Sequence, residues 1–149
     1  MLKTNQNGRS MVEMLGVLAI VGVLSVTGII GYTIAMRKYR ANEIAQAISS
    51  MAIAAKTANG GLGIREAKYY KDLLHREENP IGANVLKALV TTGANPQFAK
   101  RIELQTDSDK LCIEVESLIG DSKKNALYID ENDGCTNNGT DKLYVTVTD

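Results

Sequence analysis

Residues able to do chemistry are scarce in this chain of 149 residues, which has one His, two Cys and no Trp. So few side chains leave little material for a tetrahedral zinc site or for a catalytic triad built on histidine. The histidine, His75, lies between Leu74 and Arg76, and a solvated surface position is the simplest interpretation of that setting. We therefore expect no enzyme activity, no metal site and no cofactor.

A run of acidic and amide side chains, Asp130 to Asp133, has the oxygen donors that Ca²⁺ prefers. Its spacing differs from that of the calcium-binding loop of EF-hand proteins. An acidic surface turn is the commoner origin of such a run, so we expect a turn in this segment rather than a metal site.

One carboxylate, Glu13, lies directly before a long uncharged segment. The segment Met14–Met36 has 23 consecutive residues without a charge. As a helix it would be roughly 34 Å long, enough to cross the apolar core of a bilayer. An ionised acid inside lipid costs about 2.5–3.5 kcal/mol near the helix centre and less toward the end. Either Glu13 caps the first helical turn, where the helix dipole favours an acid, or it finds a positive partner.

The uncharged run itself has three possible roles: a removed secretory signal, a permanent anchor, or an anchor that later becomes an assembly helix. A secretory signal has a shorter apolar core followed by a cleavage site of small residues. Here the run is longer, and the basic sequence Arg37–Arg40 comes after it. This disfavours a removed signal and leaves the other two roles open.

The start of the chain resembles the prepilin signature of type IV pilins and pseudopilins. The resemblance rests on Gly8 after a short polar leader, on Glu13 five residues later, and on the aliphatic run beyond it. It extends through Gly22 and Tyr32 into the polar continuation of the helix and covers about 45 residues closely.

This resemblance implies a processing mechanism. A prepilin peptidase, an aspartyl enzyme of the membrane, would cut between Gly8 and Arg9 and leave a mature chain of 141 residues. The same enzyme usually methylates the new amino terminus, here that of Arg9. The glutamate that matches Glu13 is thought to pair with the terminal amine of a neighbouring subunit during assembly.

Two positions depart from the family pattern. The mature chain would begin with Arg9 instead of an apolar residue, and Arg9 and Glu13 are an i, i+4 pair that can neutralise each other within one helix. The helix-kinking proline of the family is also absent, with Ile30 near its place. Four glycines either loosen the helix or permit close helix packing, and these are Gly16, Gly22, Gly28 and Gly31.

The predicted fold is α+β and pilin-like, with a long N-terminal helix packed on a small antiparallel sheet. Residues 1–8 are the expected leader, 9–36 the transmembrane or filament-core helix, and 37–60 its amphipathic continuation. Residues 61–149 form the expected head, divided into a connection at 61–101 and a sheet with a disulfide loop at 102–149.

Within this scheme, helical periodicity and helix propensity predict one helix from about Ser10 to Ala58, ended by Asn59-Gly60-Gly61. Short helices are predicted at Glu66–Leu74 and Ala83–Val90. Alternating or β-rich patterns predict four strands, at Arg101–Thr106, Leu111–Ser117, Ala126–Asp130 and Leu143–Thr148.

The two cysteines, Cys112 and Cys135, form an even pair in a small domain, and outside the cytoplasm such a pair is expected to be oxidised. The bond would contribute about 3 kcal/mol by restricting the unfolded chain. Two unrelated buried thiols are the alternative. The pairing also resembles the carboxy-terminal disulfide loop of pilins, which most pseudopilins lack.

The charges give two further expectations. The 17 basic and 17 acidic residues balance, which argues against a specific nucleic-acid partner bound through a bulk positive field. Residues 37–101 have 11 basic and 5 acidic side chains, whereas residues 102–149 have 4 and 11. Two solvated surfaces are the simplest interpretation, and complementary faces of neighbouring heads in a filament are the alternative.

The observations disagree about which end of the uncharged run faces the cytoplasm. Lys3 and Arg9 precede the uncharged run, but three basic residues come after it within Arg37–Arg40. Positive charge alone would keep the carboxyl side in the cytoplasm. The resemblance implies a precursor in the bacterial inner membrane with its head outside the cytoplasm, and later an extracellular pilus or a periplasmic pseudopilus. We follow the resemblance.

The sequence therefore predicts a structural subunit of a type IV pilus-like filament. Its partners would be further copies of itself in a helical homopolymer, the prepilin peptidase, and the pilus assembly machinery of the inner membrane. One alternative is a pseudopilin of a type II secretion or DNA-uptake machine, and another is a signal-anchored periplasmic domain that does not polymerise.

Overall fold

A computed structural model of the chain describes residues 7–61, 64–90, 99–120, 126–130, 132–135 and 141–147. Three helices and five strands occur in these residues. In chain order they are α1 (Asn7–Gly61), β1 (Lys68–Tyr69), α2 (Tyr70–Leu74), β2 (Ala83–Val90), β3 (Ala99–Thr106), α3 (Asp109–Ile119), β4 (Leu127–Tyr128) and β5 (Lys142–Val147). The strands form one antiparallel sheet in the order β1-β2-β3-β5-β4, which confirms the predicted α+β fold.

The chain divides into two compact units, Met1–Met36 and Arg37–Asp149. The described part of the first unit is helical throughout and belongs to α1. The second unit contains the rest of α1 and all the other elements.

The second part of α1 packs on the sheet through one apolar stripe. The side chains of this stripe recur at helical spacing and are almost fully buried, and they are Ala41, Ile44, Ala47, Ile48, Met51, Ala52 and Ala55. Each large aliphatic side chain removed from water in this way contributes roughly 1.5–3 kcal/mol. The predicted stripe is therefore confirmed, and α1 ends at Gly61, where the Asn-Gly-Gly sequence stops it.

The inner face of the sheet completes this core with rows of aligned apolar side chains. Leu86 pairs with Leu104, and Leu104 pairs in turn with Leu143 across the three central strands. The next row has Ala88, Ile102 and Val145, and all six residues are fully buried. Cross-strand contacts between such side chains stabilise the sheet and fix its register.

The helix predicted at Ala83–Val90 is wrong, because these residues form β2. Ala, Leu and Lys give this segment good helix propensity, but its pairing with β3 along almost the whole strand prevails. A register irregularity between Ala83 and Val85 shifts the alternation, which otherwise buries Leu86 and Ala88 on one face. That bulge hides the period of two that a strand shows in its sequence.

The strand predicted at Leu111–Ser117 is also wrong, because this segment is α3. Leu111, Ile113 and Val115 alternate as in a strand, yet the side chains that are buried are Leu111, Cys112 and Val115. That spacing belongs to one face of a helix, and Ile113 is 46% exposed. Asp107-Ser108-Asp109 consequently leads from the end of β3 into α3.

The remaining predicted elements agree in part. The strand at Arg101–Thr106 lies within β3, and that at Leu143–Thr148 coincides with β5 up to Val147, while Thr148 lies outside the described residues. Only Leu127–Tyr128 of the predicted strand at Ala126–Asp130 pairs in the sheet. The helix predicted at Glu66–Leu74 is shorter than expected, since its first part contributes β1 and α2 begins at Tyr70.

Candidate functional site

The predicted processing and assembly residues all lie at the beginning of α1. This helix starts at Asn7, so Gly8 and Arg9 belong to its first turn and Glu13 to its second. Residues 1–6 of the expected leader and the side chain of Arg9 lie outside the described residues. The side chain of Glu13 is exposed. Cleavage after Gly8 and pairing of Glu13 stay predictions.

Every residue of α1 from Met11 to Ala35 is exposed, whereas Met36 is half-buried. The large aliphatic side chains of this exposed stretch are between 45% exposed, at Ile34, and 71% exposed, at Met11. The described part of the chain has one helix that is long and apolar enough to cross a membrane, judged by length and composition. A continuous apolar surface of this size marks a site of contact with a membrane or with other protein.

The serine and threonine hydroxyls of this apolar segment are satisfied within the helix. Ser25 donates its hydroxyl proton to the carbonyl of Val21 at 2.8 Å, and Thr33 donates to Ile30 at 2.8 Å. The hydroxyl of Thr27 is within 3.1 Å of the Val23 carbonyl and 3.0 Å of the Leu24 carbonyl. These hydroxyls need no water, so the segment suits surroundings in which no water is present.

The four glycines of this segment have no packing role within the described chain. A Cβ atom added at Gly16, Gly22, Gly28 or Gly31 would have no atom of a neighbouring element within 4 Å. Both interpretations of these glycines, loosening of the helix and close approach of another helix, therefore stay open.

The second unit has an open groove along the side of α1 that faces away from the sheet. Leu74 of α2 and Leu118 of α3 contribute to its lining, and its volume is about 800 Å³. The α1 side chains in it are mostly small, and they are Asn42, Ala45, Gln46, Ser49, Ser50, Ile53, Ala54 and Thr57. Ile53 is the large apolar side chain among these α1 residues and is 64% exposed.

The hydroxyl groups of this groove repeat the arrangement of the apolar segment. Ser49 donates to the carbonyl of Ala45 at 3.0 Å, Ser50 to that of Gln46 at 2.6 Å, and Thr57 to that of Ile53 at 3.0 Å. With their hydroxyls directed back to the helix, these small side chains present mainly carbon to a partner. Small residues with satisfied polar atoms allow another helix to approach closely.

The two cysteines form a disulfide between α3 and the segment 132–135. The Cα atoms of Cys112 and Cys135 are 6.0 Å apart, and both residues are buried. Glu116, one turn after Cys112 on α3, accepts a hydrogen bond from the backbone N–H of Cys135 at 3.1 Å. This role of Glu116 was missed from the sequence, because the alternating pattern puts Glu116 on the wet face of a strand.

The acidic segment after β4 is tied to the sheet. The carboxylate of Asp133 forms a salt bridge with Arg101 of β3, and the Asp133 carbonyl accepts a hydrogen bond from the backbone N–H of Tyr144 at 3.1 Å. The Arg101 guanidinium also lies 5.2 Å from the centre of the Tyr144 ring. Within the described ranges, which exclude Glu131, no three His, Cys, Asp or Glu side chains are placed to hold a metal ion.

Comparisons of this chain with protein-family models, with curated proteins and with solved structures find no match. The features of the chain that bear on its function are the apolar segment, the groove and the disulfide-linked head.

Proposed function

We propose that this chain is the structural subunit of a type IV pilus-like filament. The precursor inserts in the membrane through α1, a prepilin peptidase cuts it between Gly8 and Arg9, and the mature subunit polymerises through α1. The chain is a substrate of the peptidase and has no catalytic role of its own in this proposal.

The observation that carries the proposal is the uncovered apolar segment of α1, with Glu13 directly before it. An anchor needs only an apolar segment, whereas the resemblance to prepilins gives the glutamate at its start a role in assembly. In that role Glu13 pairs with the amino terminus of a neighbouring subunit. The same pairing would align neighbouring subunits along the filament axis.

The groove on the second unit supports self-association. Its floor of small side chains and its flanking leucines offer an apolar surface to a helix. The apolar segment of a second copy is such a helix, and it needs cover once it leaves the lipid. The disulfide favours a pilus subunit over a pseudopilin, because most pseudopilins lack a carboxy-terminal disulfide loop.

Mass spectrometry of the membrane-extracted protein tests the first step. Coexpression with a prepilin peptidase should give a mature chain that begins at Arg9. Gly8→Val should block the cut, because the branched side chain occupies the position that the peptidase recognises. Gly16→Val is the matched control, since a Cβ at Gly16 meets nothing within 4 Å, and it should be cut normally.

The results separate the alternatives. A terminus that stays at Met1, or one other than Arg9, contradicts the prepilin assignment. Correct cleavage with only monomeric extract indicates an anchored domain that does not polymerise. Correct cleavage with short assemblies confined to the periplasm indicates a pseudopilin.

A further inference from the structure

Three basic residues and a tyrosine come directly after the uncharged run of α1. We call Arg37, Lys38, Tyr39 and Arg40 the basic collar. The sequence has no Asp or Glu between Glu13 and Glu43, so the collar follows a long uncharged run and Glu43, three residues after Arg40, is the first carboxylate beyond it. If the preceding run spans a bilayer, the collar lies at the level of the lipid headgroups.

The side chains of the collar differ in exposure. Arg37 and Arg40 are three residues apart on α1, so they lie on the same side of the helix, and both are half-buried. Lys38 is exposed, and Tyr39 is 64% exposed. The collar thus combines two partly enclosed guanidinium groups with an exposed ammonium and an exposed phenol.

The guanidinium of Arg40 is not fully hydrogen-bonded within the described part of the chain. Its Nε atom is buried and has no hydrogen-bond partner there. Neither Arg37, Lys38 nor Arg40 forms a salt bridge with a described carboxylate, in contrast to Arg101 and Lys142, which pair with Asp133 and Glu103. Because the Nε atom is closed off from solvent, an external anion would approach Arg40 through the other N–H groups of its guanidinium.

We propose that the basic collar binds the phosphate of an anionic phospholipid headgroup. Arginine offers phosphate two parallel N–H groups, and tyrosine is favoured at the boundary between lipid and water. An anionic lipid supplies the negative charge that no described carboxylate gives to Arg37, Lys38 and Arg40 through a salt bridge. The binding also explains the excess of positive charge after the uncharged run, because these cations then serve lipid recognition and not orientation.

This inference rests on the membrane-spanning part of the proposed function and is independent of cleavage and of polymerisation. The test uses the full chain in nanodiscs that contain phosphatidylcholine with a minor fraction of phosphatidylglycerol. Native mass spectrometry then measures which lipid stays bound after release. The wild-type protein should retain phosphatidylglycerol well above its share of the disc.

The triple variant Arg37→Gln/Lys38→Gln/Arg40→Gln should lose this enrichment. Each cation near an anionic surface changes affinity by about fivefold at low ionic strength, so the combined loss is large. The matched control is Arg65→Gln/Lys71→Gln/Lys110→Gln, which removes the same charge from exposed positions of the second unit and should keep the enrichment. Arg37→Lys/Arg40→Lys keeps the charge and should lose only the part that comes from the paired N–H groups.

Several results would overturn the proposal. Equal phosphatidylglycerol enrichment in the triple variant and the wild type, or equal loss in the matched control, would show that the collar is not the site. Displacement of the lipid by excess inorganic phosphate would show that the collar takes free phosphate instead of a headgroup. Circular dichroism establishes whether the variants are folded. If the triple variant is not folded, the double lysine variant still tests the proposal. Extraction of the wild type by carbonate would refute membrane insertion itself, which is a separate failure.

Discussion

Glu116 accepts a hydrogen bond from the backbone N–H of Cys135, and Cys135 is bonded through its sulfur to Cys112, one helical turn before Glu116. One face of α3 thus holds the segment 132–135 by a covalent bond and a carboxylate. Gly134 fits beside this carboxylate, and a Cβ added there would collide with it. The segment 132–135 is therefore held on α3 by a polar contact as well as by the disulfide.

The carboxylate of Glu116 should stabilise the folded head measurably. Glu116→Ala removes the acceptor for the Cys135 N–H, and we expect the free energy of unfolding to fall by about 1–3 kcal/mol. Denaturant unfolding of the oxidised protein, followed by circular dichroism, measures the change. Glu114→Ala on the same helix is the control and should cost less than half as much. Equal losses in the two variants would show that the contact with Cys135 contributes nothing specific.

Gly134→Ala should be destabilising because of Glu116 and not because of its own backbone. The new methyl group displaces the Glu116 carboxylate, so the hydrogen bond to Cys135 is lost, at a cost of about 1 kcal/mol. In a Glu116→Ala background the same change should have a much smaller effect. A double-mutant cycle on the free energy of unfolding measures this coupling, and additive effects of the two changes would contradict it.

Removal of the charge at Glu13 should separate processing from assembly. Glu13→Gln keeps the size of the side chain and would eliminate the proposed ion pair with a neighbouring amino terminus, so we expect normal cleavage after Gly8 and far fewer sheared filaments. Immunoblots of the cell and filament fractions measure both steps. Glu43→Gln, the next carboxylate along α1, is the control. Normal filament yield in Glu13→Gln would show that Glu13 only caps the helix.

The groove on the second unit should tolerate a charge in the monomer but not in the filament. Ile53 is 64% exposed, so Ile53→Asp should leave the thermal unfolding of the extracted monomer nearly unchanged. In an assembled filament the carboxylate would be buried against an apolar helix, and we expect filament yield to fall by at least tenfold. Ile81→Asp changes a side chain of similar exposure, 61%, that does not line the groove. Equal filament yields from the two variants would exclude the groove as a subunit contact.

Asp141 should make the stability of the head depend on pH. The hydrogen bond with Asp109, then desolvation and the negative charges of Asp109 and Asp107, raise the pKa of Asp141 above its ordinary value of 3.8. A raised carboxyl pKa stabilises the fold only where the group is protonated, and this contribution disappears as pH rises through the folded pKa. Asp141→Asn should therefore be more stable than the wild type at neutral pH, with a smaller advantage below pH 3.8. Melting curves across this range measure the difference, and a constant difference would contradict the prediction.

The long helix was predictable from sequence because its signals are local and repeat over many turns. The spacing of Ile44, Ile48 and Met51 defines a buried face, and the Asn-Gly-Gly sequence defines the end of α1. The head was predicted less well because its segments are short. In β2, pairing with β3 overrides helix propensity, and in α3, alternating Leu111, Ile113 and Val115 imitate a strand over less than two helical turns.

The candidate site likewise has parts that the sequence predicts and parts that it does not. Gly8 and Glu13 are candidates through the resemblance of the start of the chain to prepilins, and the two cysteines through their even number in a small domain. The groove and the Glu116 contact depend on where α2 and α3 lie beside α1 and the segment 132–135, and no local pattern in the sequence contains that information. Only the tertiary structure brings Leu74, Ile53 and Leu118 to one surface.

The hydroxyl groups of Ser25, Thr27 and Thr33 have a consequence for the proposed transfer of α1 from a membrane into a filament. Each hydroxyl already donates a hydrogen bond to a carbonyl of its own helix, so these hydroxyls would make the same hydrogen bonds before and after transfer. Lipid chains and aliphatic side chains are solvents of nearly equal polarity for such a segment. In the proposed assembly, extraction would exchange one apolar medium for another, and the charged residues at the two ends of the segment would contribute most of the free-energy difference.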